Sequence, residues 1–211
     1  SLKTIESKMF YRFKIILWYL FRPLFWEHSL ELVKRKYLYT KKNESKEGLE
    51  WAKKNSKSLL NAFNQIGLNF TEETLKLSIK QDLIDNGNKL IKSSQINIDP
   101  SIDSKKLAGK AYIELLYIIT LMTDTKFVVE TGVGYGWSSL AILYALSKKN
   151  EAKGLVSIDM PYPSSKNNEY VGKVIPNSLK AKWKLIRLPD KPGIKVTIKN
   201  NLEKFDLAHY D

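Results

Sequence analysis

The stretch Lys126-Phe-Val-Val-Glu-Thr-Gly-Val-Gly-Tyr-Gly-Trp-Ser-Ser-Leu-Ala-Ile-Leu-Tyr-Ala-Leu146 decides the fold. A β-branched and aromatic run, Phe127 to Val129, ends in an acid, Glu130. Glycines follow at alternate positions, Gly132, Gly134 and Gly136, and an apolar segment of helical length opens at Trp137. The order reads as strand, tight turn, helix. Glycines suit such a turn because it needs positive φ and close approach of a ligand to the backbone. The helix that follows exposes unpaired N–H groups and a positive dipole end, a setting for an anionic or polar ligand group. The stretch therefore predicts a nucleotide-type cofactor site.

Outward from it, Ser104 to Met122 is strongly apolar and predicts a helix covering one face of the sheet. Downstream, Gly154-Leu-Val-Ser-Ile-Asp159 predicts a second strand ending in an acid. Met160 to Lys173 is a polar loop with two prolines, and Val174 to Ala181 a short helix. Trp183 to Leu188 predicts a third strand, closed by Pro189-Asp190; Ile194 to Leu202 predicts a helix, and Phe205 to Asp211 a fourth strand. Alternating strands and helices predict an α/β fold with a doubly wound, mostly parallel sheet. In such sheets ligands sit beyond the carboxyl ends of the strands, where Glu130, Asp159, Asp190 and Asp211 would all fall.

The first half of the chain reads differently. Lys8 to Trp26 is crowded with aromatics, flanked by Arg12, Lys14 and Arg22 and interrupted by Pro23. Its apolar run is far shorter than the ~20 residues that span a bilayer, and it lacks the cleavage region of a signal peptide. Two readings stay open: a helix lying in a membrane interface, giving peripheral membrane contact through residues 8–26, or a helix packed on the domain or on a second copy as a homodimer. Lys34 to Lys46 reads as a polar linker, Glu47 to Ile66 as a helix, Thr71 to about Asp85 or Asn86 as another, capped by Thr71, with a further short helix running to Ser93. The expected organisation is a helical segment over residues 1–103 and an α/β domain over 104–211.

Composition bounds the function classes. The chain has 211 residues, ample apolar content for a core and no cysteine, which excludes disulfides, thiolate metal sites and a cysteine nucleophile. The lack of cysteine fits a reducing compartment, and a cytoplasmic location is the expectation. The net charge is +13, concentrated in residues 1–60, with 14 basic against 6 acidic residues, and in residues 126–211, with 14 against 8. Lysine outnumbers arginine 31 to 4, so the excess reads mainly as a solvated lysine-rich surface. No recognition motif accompanies it, and no specific nucleic-acid partner is expected.

Gly132-x-Gly134-x-Gly136 is not the G-x-G-x-x-G spacing of dinucleotide folds, which disfavours a nicotinamide oxidoreductase. Asp159, ending the second strand, is placed to accept the hydroxyls of a ribose; the bland alternative is that it caps the segment after it. Together, Glu130-Thr-Gly-Val-Gly-Tyr-Gly, Gly154 to Asp159 and Phe205 to Asp211 resemble the first, second-strand and fourth-strand motifs of class I S-adenosylmethionine-dependent methyltransferases. The wording Val-Val-Glu-Thr-Gly-Val-x-x-Gly-x-Ser-Ser, with the later Val174-Ile-Pro and Trp183-Lys-Leu-Ile, is similar to the branch of cephalosporin-hydroxylase-type and small-molecule O-methyltransferases. The likeness covers about residues 107–211 and is specific to the cofactor half.

The resemblance implies a Rossmann-like fold, S-adenosylmethionine as cofactor and a small molecule or sugar as methyl acceptor. It puts Glu130 near the methionine amino group or in charge of the turn, and Gly132, Gly134 and Gly136 around the methionyl and ribose parts. Ser138 or Ser139 would bond the carboxylate end, Asp159 the ribose, and Asp190 would lie near the adenine. Asp211 would face the reacting methyl as the catalytic residue and could join in binding a divalent cation such as Mg²⁺. His209 reads more readily as a core histidine than as a general base. Complete domains of this family continue past the fourth strand with more strands, so the resemblance also implies a sheet incomplete at its C-terminus, in a fragment or a shortened homologue. The competing reading is a membrane- or partner-docking protein whose α/β domain is catalytically inert.

Overall fold

A computed structural model of the chain describes residues 2–38, 50, 59–95, 112–163, 168–200 and 204–210. It divides into two compact units, residues 1–67 and 68–211.

In the first unit, α1 (Leu2–Leu20) leads through a 3₁₀ turn at Pro23–Phe25 into α2 (Trp26–Leu38), and α3 spans Leu59–Gln65. Pro23 ends the α1 pattern because it has no N–H to donate, and it then starts the short turn. Arg22 closes α1 by donating to the Trp18 carbonyl at 2.9 Å while its guanidinium lies 4.3 Å from the Trp18 ring. Phe25 is buried edge-on against Trp18 and Tyr19, which holds the two helices as a hairpin. The linker read from Lys34 is thus helical as far as Leu38. No described helix is long and apolar enough to cross a membrane.

The second unit holds a 3₁₀ turn at Thr74–Lys76, α4 (Gln81–Gln95), α5 (Ile113–Met122), β1 (Phe127–Thr131), α6 (Trp137–Leu146), β2 (Gly154–Ile158), α7 (Asn177–Lys180), β3 (Trp183–Ile186), α8 (Asp190–Asn200) and β4 (Leu207–Tyr210). Of the helix expected over residues 71–85, the part before Gln81 is instead this short turn followed by extended chain, and residues 81–85 are helical as the start of α4. Thr71 and Thr74 bond each other's backbone N–H reciprocally and close the turn on itself. The Ile79 amide then goes to the Glu114 carboxylate on α5 at 3.1 Å, so the helix restarts only at Gln81. The helix expected from Ile194 begins earlier, at Asp190, with that acid in its first turn, where the helix dipole favours it.

The four described strands form one parallel sheet in the order β3-β2-β1-β4. The chain winds outward from β1 through β2 to β3, then crosses back so that β4 lies on the other side of β1. This is a doubly wound, Rossmann-like α/β arrangement with its switch point between β1 and β4. β2 is buried along its whole length, as a strand covered on both faces must be, and Ser157 is its one polar side chain. The edge strands β3 and β4 are only partly buried.

Val128 and Leu155 pack with Ile142, Leu143 and Leu146 of α6 and with Ile175. α5 lies on α6, with Tyr117 and Tyr144 stacked at 5.4 Å. Ile158 has the opposite parity to Leu155 and faces α8, where a Cβ on Gly193 would lie only 2.3 Å from its Cγ2. Helices therefore cover both faces and leave the carboxyl edge of the sheet to the loops.

Candidate functional site

β1 delivers Glu130 to that edge with its side chain fully buried. Oε2 of Glu130 accepts the Ser139 hydroxyl of α6 at 2.5 Å and the Ser157 hydroxyl of β2 at 2.8 Å. Ser157 in turn accepts the Trp183 indole N–H of β3 at 2.8 Å. The other oxygen, Oε1, lies 3.5 Å from Nδ1 of His209, the register partner of Glu130 on β4. One carboxylate thus links three strands and a helix directly beneath the glycine turn. A buried carboxylate is tolerable only with such donors around it.

The turn has φ of +76° at Gly132, +50° at Gly134 and +91° at Gly136. The Gly132 amide donates to the Ile158 carbonyl at 2.9 Å, and the Val133 amide to Oδ1 of Asp159 at 3.2 Å. The segment after the proline loop then docks on the turn: the Gly172 amide donates to the Gly134 carbonyl and the Val174 amide to the Tyr135 carbonyl. A Cβ on Gly136 would stand 2.8 Å from Gly172 Cα, so glycine here serves backbone packing as well as positive φ. Gly87 of α4 has Trp137 and Val174 in similarly close reach, which places α4 against the same region.

Gly136 is the N-cap of α6 and contributes no side-chain cap. The first turn of this ten-residue helix lies at the carboxyl edge and has no side-chain partner at the cap position. Ser138 is buried in the first turn of α6. The hydroxyl of its neighbour Ser139 is already committed to Glu130.

Asp159 follows β2 directly and is buried against the turn. Besides the Val133 amide on Oδ1, its Oδ2 accepts the Arg187 guanidinium. Arg187 also donates through its second nitrogen to Oδ1 of Asn168 and lies 5.9 Å from the Tyr162 ring. Asn168 closes the loop by accepting the Tyr162 amide at 3.0 Å and donating to its carbonyl at 3.3 Å. Burial raises the Asp159 carboxyl above the usual range against the lowering effects of Arg187 and the Val133 amide. Asp190, at the start of α8, is near enough to add to that rise. Burial, with Asp159 nearby, pushes the Tyr162 phenol up to about 12.

Of the residues singled out in the sequence, Glu130, the three glycines, Ser138, Asp159 and Asp190 converge on one end of the sheet. Asp211, assigned both a catalytic and a metal role, lies outside the described residues. Among the described residues no group of three or more His, Asp or Glu could hold a metal ion, so a Mg²⁺ site finds no donor set there. Arg187, Asn168 and Tyr162 escaped the sequence reading. Arg187 carried the one usable signal: it is among only four arginines against 31 lysines, and it stands immediately after a strand. A fork of planar donors is what a paired carboxylate and amide require.

No protein-family model matches the chain, and no curated protein sequence does. Among solved structures it is similar to an O-methyltransferase from Bacillus cereus in complex with SAH (13% identity, 60% of this chain and 54% of that one, TM-score 0.48). It is also similar to an SAH-bound methyltransferase from Podospora anserina (18% identity, 74% of this chain and 59% of that one, TM-score 0.46). The chain thus spans little more than half the length of either. The Rossmann-like α/β fold itself rests on the strand order and parallel register.

Proposed function

We propose that this chain is the cofactor-binding part of an S-adenosylmethionine-dependent methyltransferase that methylates an oxygen of a small molecule or sugar. The observation that carries the reading is the Asp159 carboxylate held on the Val133 amide of a positive-φ glycine turn, beside the uncapped start of α6. This supports a nucleoside site: the carboxylate suits a ribose diol, and the helix start suits the carboxylate of an amino acid. The cofactor supplies an electrophilic methyl carbon, so the protein's task is alignment of donor and acceptor rather than a nucleophilic triad. Glu130 holds the turn in shape from below, and Asp190 borders the adenine side.

The test is calorimetric titration with S-adenosylhomocysteine. Saturable binding that is lost in Gly134→Val and weakened about tenfold or more in Asp159→Ala is the expected result. No saturable binding by the wild type or by a chain whose Arg187 is neutralised, or binding indifferent to both substitutions, would sink the assignment.

A second reading is favoured by the first unit. Phe10, Phe13, Ile16, Phe21 and Leu24 are exposed, and α1 and α2 frame an apolar groove of about 590 Å³ lined by Ile15, Tyr19, Trp26 and Leu30 among others. Arg12, Lys14 and Arg22 stand among these apolar side chains. On this reading the chain is a docking protein that meets an anionic membrane surface through residues 8–26. Flotation with anionic vesicles that is abolished by Phe13→Asp and Phe21→Asp, in a protein without nucleoside affinity, would favour it over the enzyme.

A further inference from the structure

If the glycine turn and Asp159 hold a nucleoside, as the proposed function requires, the Asp159–Arg187 pair controls its entry. Both oxygens of Asp159 are in use: Oδ1 receives the Val133 amide and Oδ2 the Arg187 guanidinium. Only 10% of the Asp159 side chain is exposed, whereas Arg187 keeps 26% exposed and lies at the solvent side of the pair. A ribose diol donates two hydroxyls and needs a carboxylate edge facing it. The guanidinium covers that edge.

Arg187 has a second anchor that does not involve Asp159. Its other nitrogen donates to Asn168, which is pinned to the Tyr162 backbone in both directions, and its guanidinium lies near the Tyr162 ring. The arginine can therefore leave Asp159 without losing every partner, and its charge can turn to water. A tether of this kind makes exchange cheaper than breaking an isolated buried pair.

We infer that Arg187 is a displaceable internal ligand of Asp159, and that a nucleoside enters by exchanging its ribose diol for the guanidinium on Oδ2. Arg187 is then a specificity-determining residue. Displacing it costs the Arg187 bond to Oδ2, and only a ligand whose ribose diol takes that oxygen recovers the cost. Loss of one hydroxyl leaves Oδ2 with its original partner.

The experiment compares wild type, Arg187→Gln and Arg187→Lys by titration with S-adenosylhomocysteine, adenosine and 2′-deoxyadenosine, at about pH 8 so that Asp159 stays ionised without its cation. Arg187→Gln is expected to bind S-adenosylhomocysteine and adenosine about tenfold tighter than wild type, with a much smaller gain for 2′-deoxyadenosine. Arg187→Lys restores a cation and should return affinity toward wild type. In the Asp159→Ala background Arg187→Gln should change nothing. Wild type binding nothing while Arg187→Gln binds is the extreme form of the same result. Weaker or unchanged binding in a folded Arg187→Gln protein overturns the inference and leaves the cofactor site standing. No binding by any variant overturns both.

Discussion

The Ser139 hydroxyl donates to Oε2 of Glu130 at 2.5 Å, with the carboxylate fully buried, and so joins the first turn of α6 to the strand on the far side of the glycine turn. Removing either partner should cost more than an average surface change. Ser139→Ala leaves the buried carboxylate one donor short and is expected to destabilise by about 1.5–3 kcal/mol. Glu130→Ala strands two hydroxyls and opens a cavity, and should cost about 3–5 kcal/mol. Because Ser139 and Ser157 share one oxygen, the Ser139→Ala and Ser157→Ala costs should not add. Chemical denaturation of the singles and the double checks this, and strict additivity would contradict a shared carboxylate.

Gly136 predicts a backbone effect separate from any ligand. Its φ of +91° and the 2.8 Å approach of a would-be Cβ to Gly172 Cα both oppose a side chain, and the obstacle is backbone that cannot rotate away. Gly136→Ala should lower stability by about 1–3 kcal/mol in the absence of any nucleoside. A thermal melt of the ligand-free protein that is unmoved would show that the Gly172 segment yields.

Gly193 offers a rescue experiment. A Cβ there would meet Ile158 Cγ2 of β2 at 2.3 Å. Gly193→Ala is expected to cost about 1–3 kcal/mol through overpacking. Here the obstacle is a methyl group, so Ile158→Ala in the Gly193→Ala protein should be less damaging than Ile158→Ala alone. Equal damage in both backgrounds would mean that α8 shifts as a body to admit the methyl.

Asp206 carries a pH dependence. Its Oδ2 accepts the Lys126 and Phe127 amides, each at 2.8 Å, joining the start of β1 to the entry of β4. Those two bonds, then Lys153 and Lys126, hold its carboxyl below the usual range. A depressed folded pKa favours folding above the unfolded value, and this contribution disappears as pH falls through the folded value. The stability difference between wild type and Asp206→Ala should be constant near neutrality, about 1 kcal/mol for an exposed carboxylate. It should shrink below about pH 4. Urea midpoints across that range measure it, and a difference that grows on acidification would contradict the sign.

Much of this was legible along the chain. The β-branched run, the alternate glycines and the apolar helix fixed the β1–turn–α6 unit, because turn conformation and strand and helix periodicity are set by neighbouring residues. The acids after strands announced the edge where Glu130, Asp159 and Asp190 gather. The helix expected from Thr71 starts only at Gln81, for a non-local reason. Glu114, far along the chain on α5, takes the Ile79 amide, so Thr74–Lys76 remains a single turn and the helix starts at Gln81.

By itself, then, the sequence determined that an acid, a glycine turn and a helix start would meet at the end of a parallel strand, and that a second acid would lie beside them. Only the tertiary structure decided how those acids are occupied. The sheet register sets Ser157 and His209 against Glu130, and the β3 exit brings Arg187 to Asp159 from 28 residues away. Such pairings depend on which strands lie side by side, a choice made by burial of both sheet faces and carrying no local mark. The glycine stretch marks the carboxyl end of β1, and only the sheet topology sets the Arg187 guanidinium on Asp159 there.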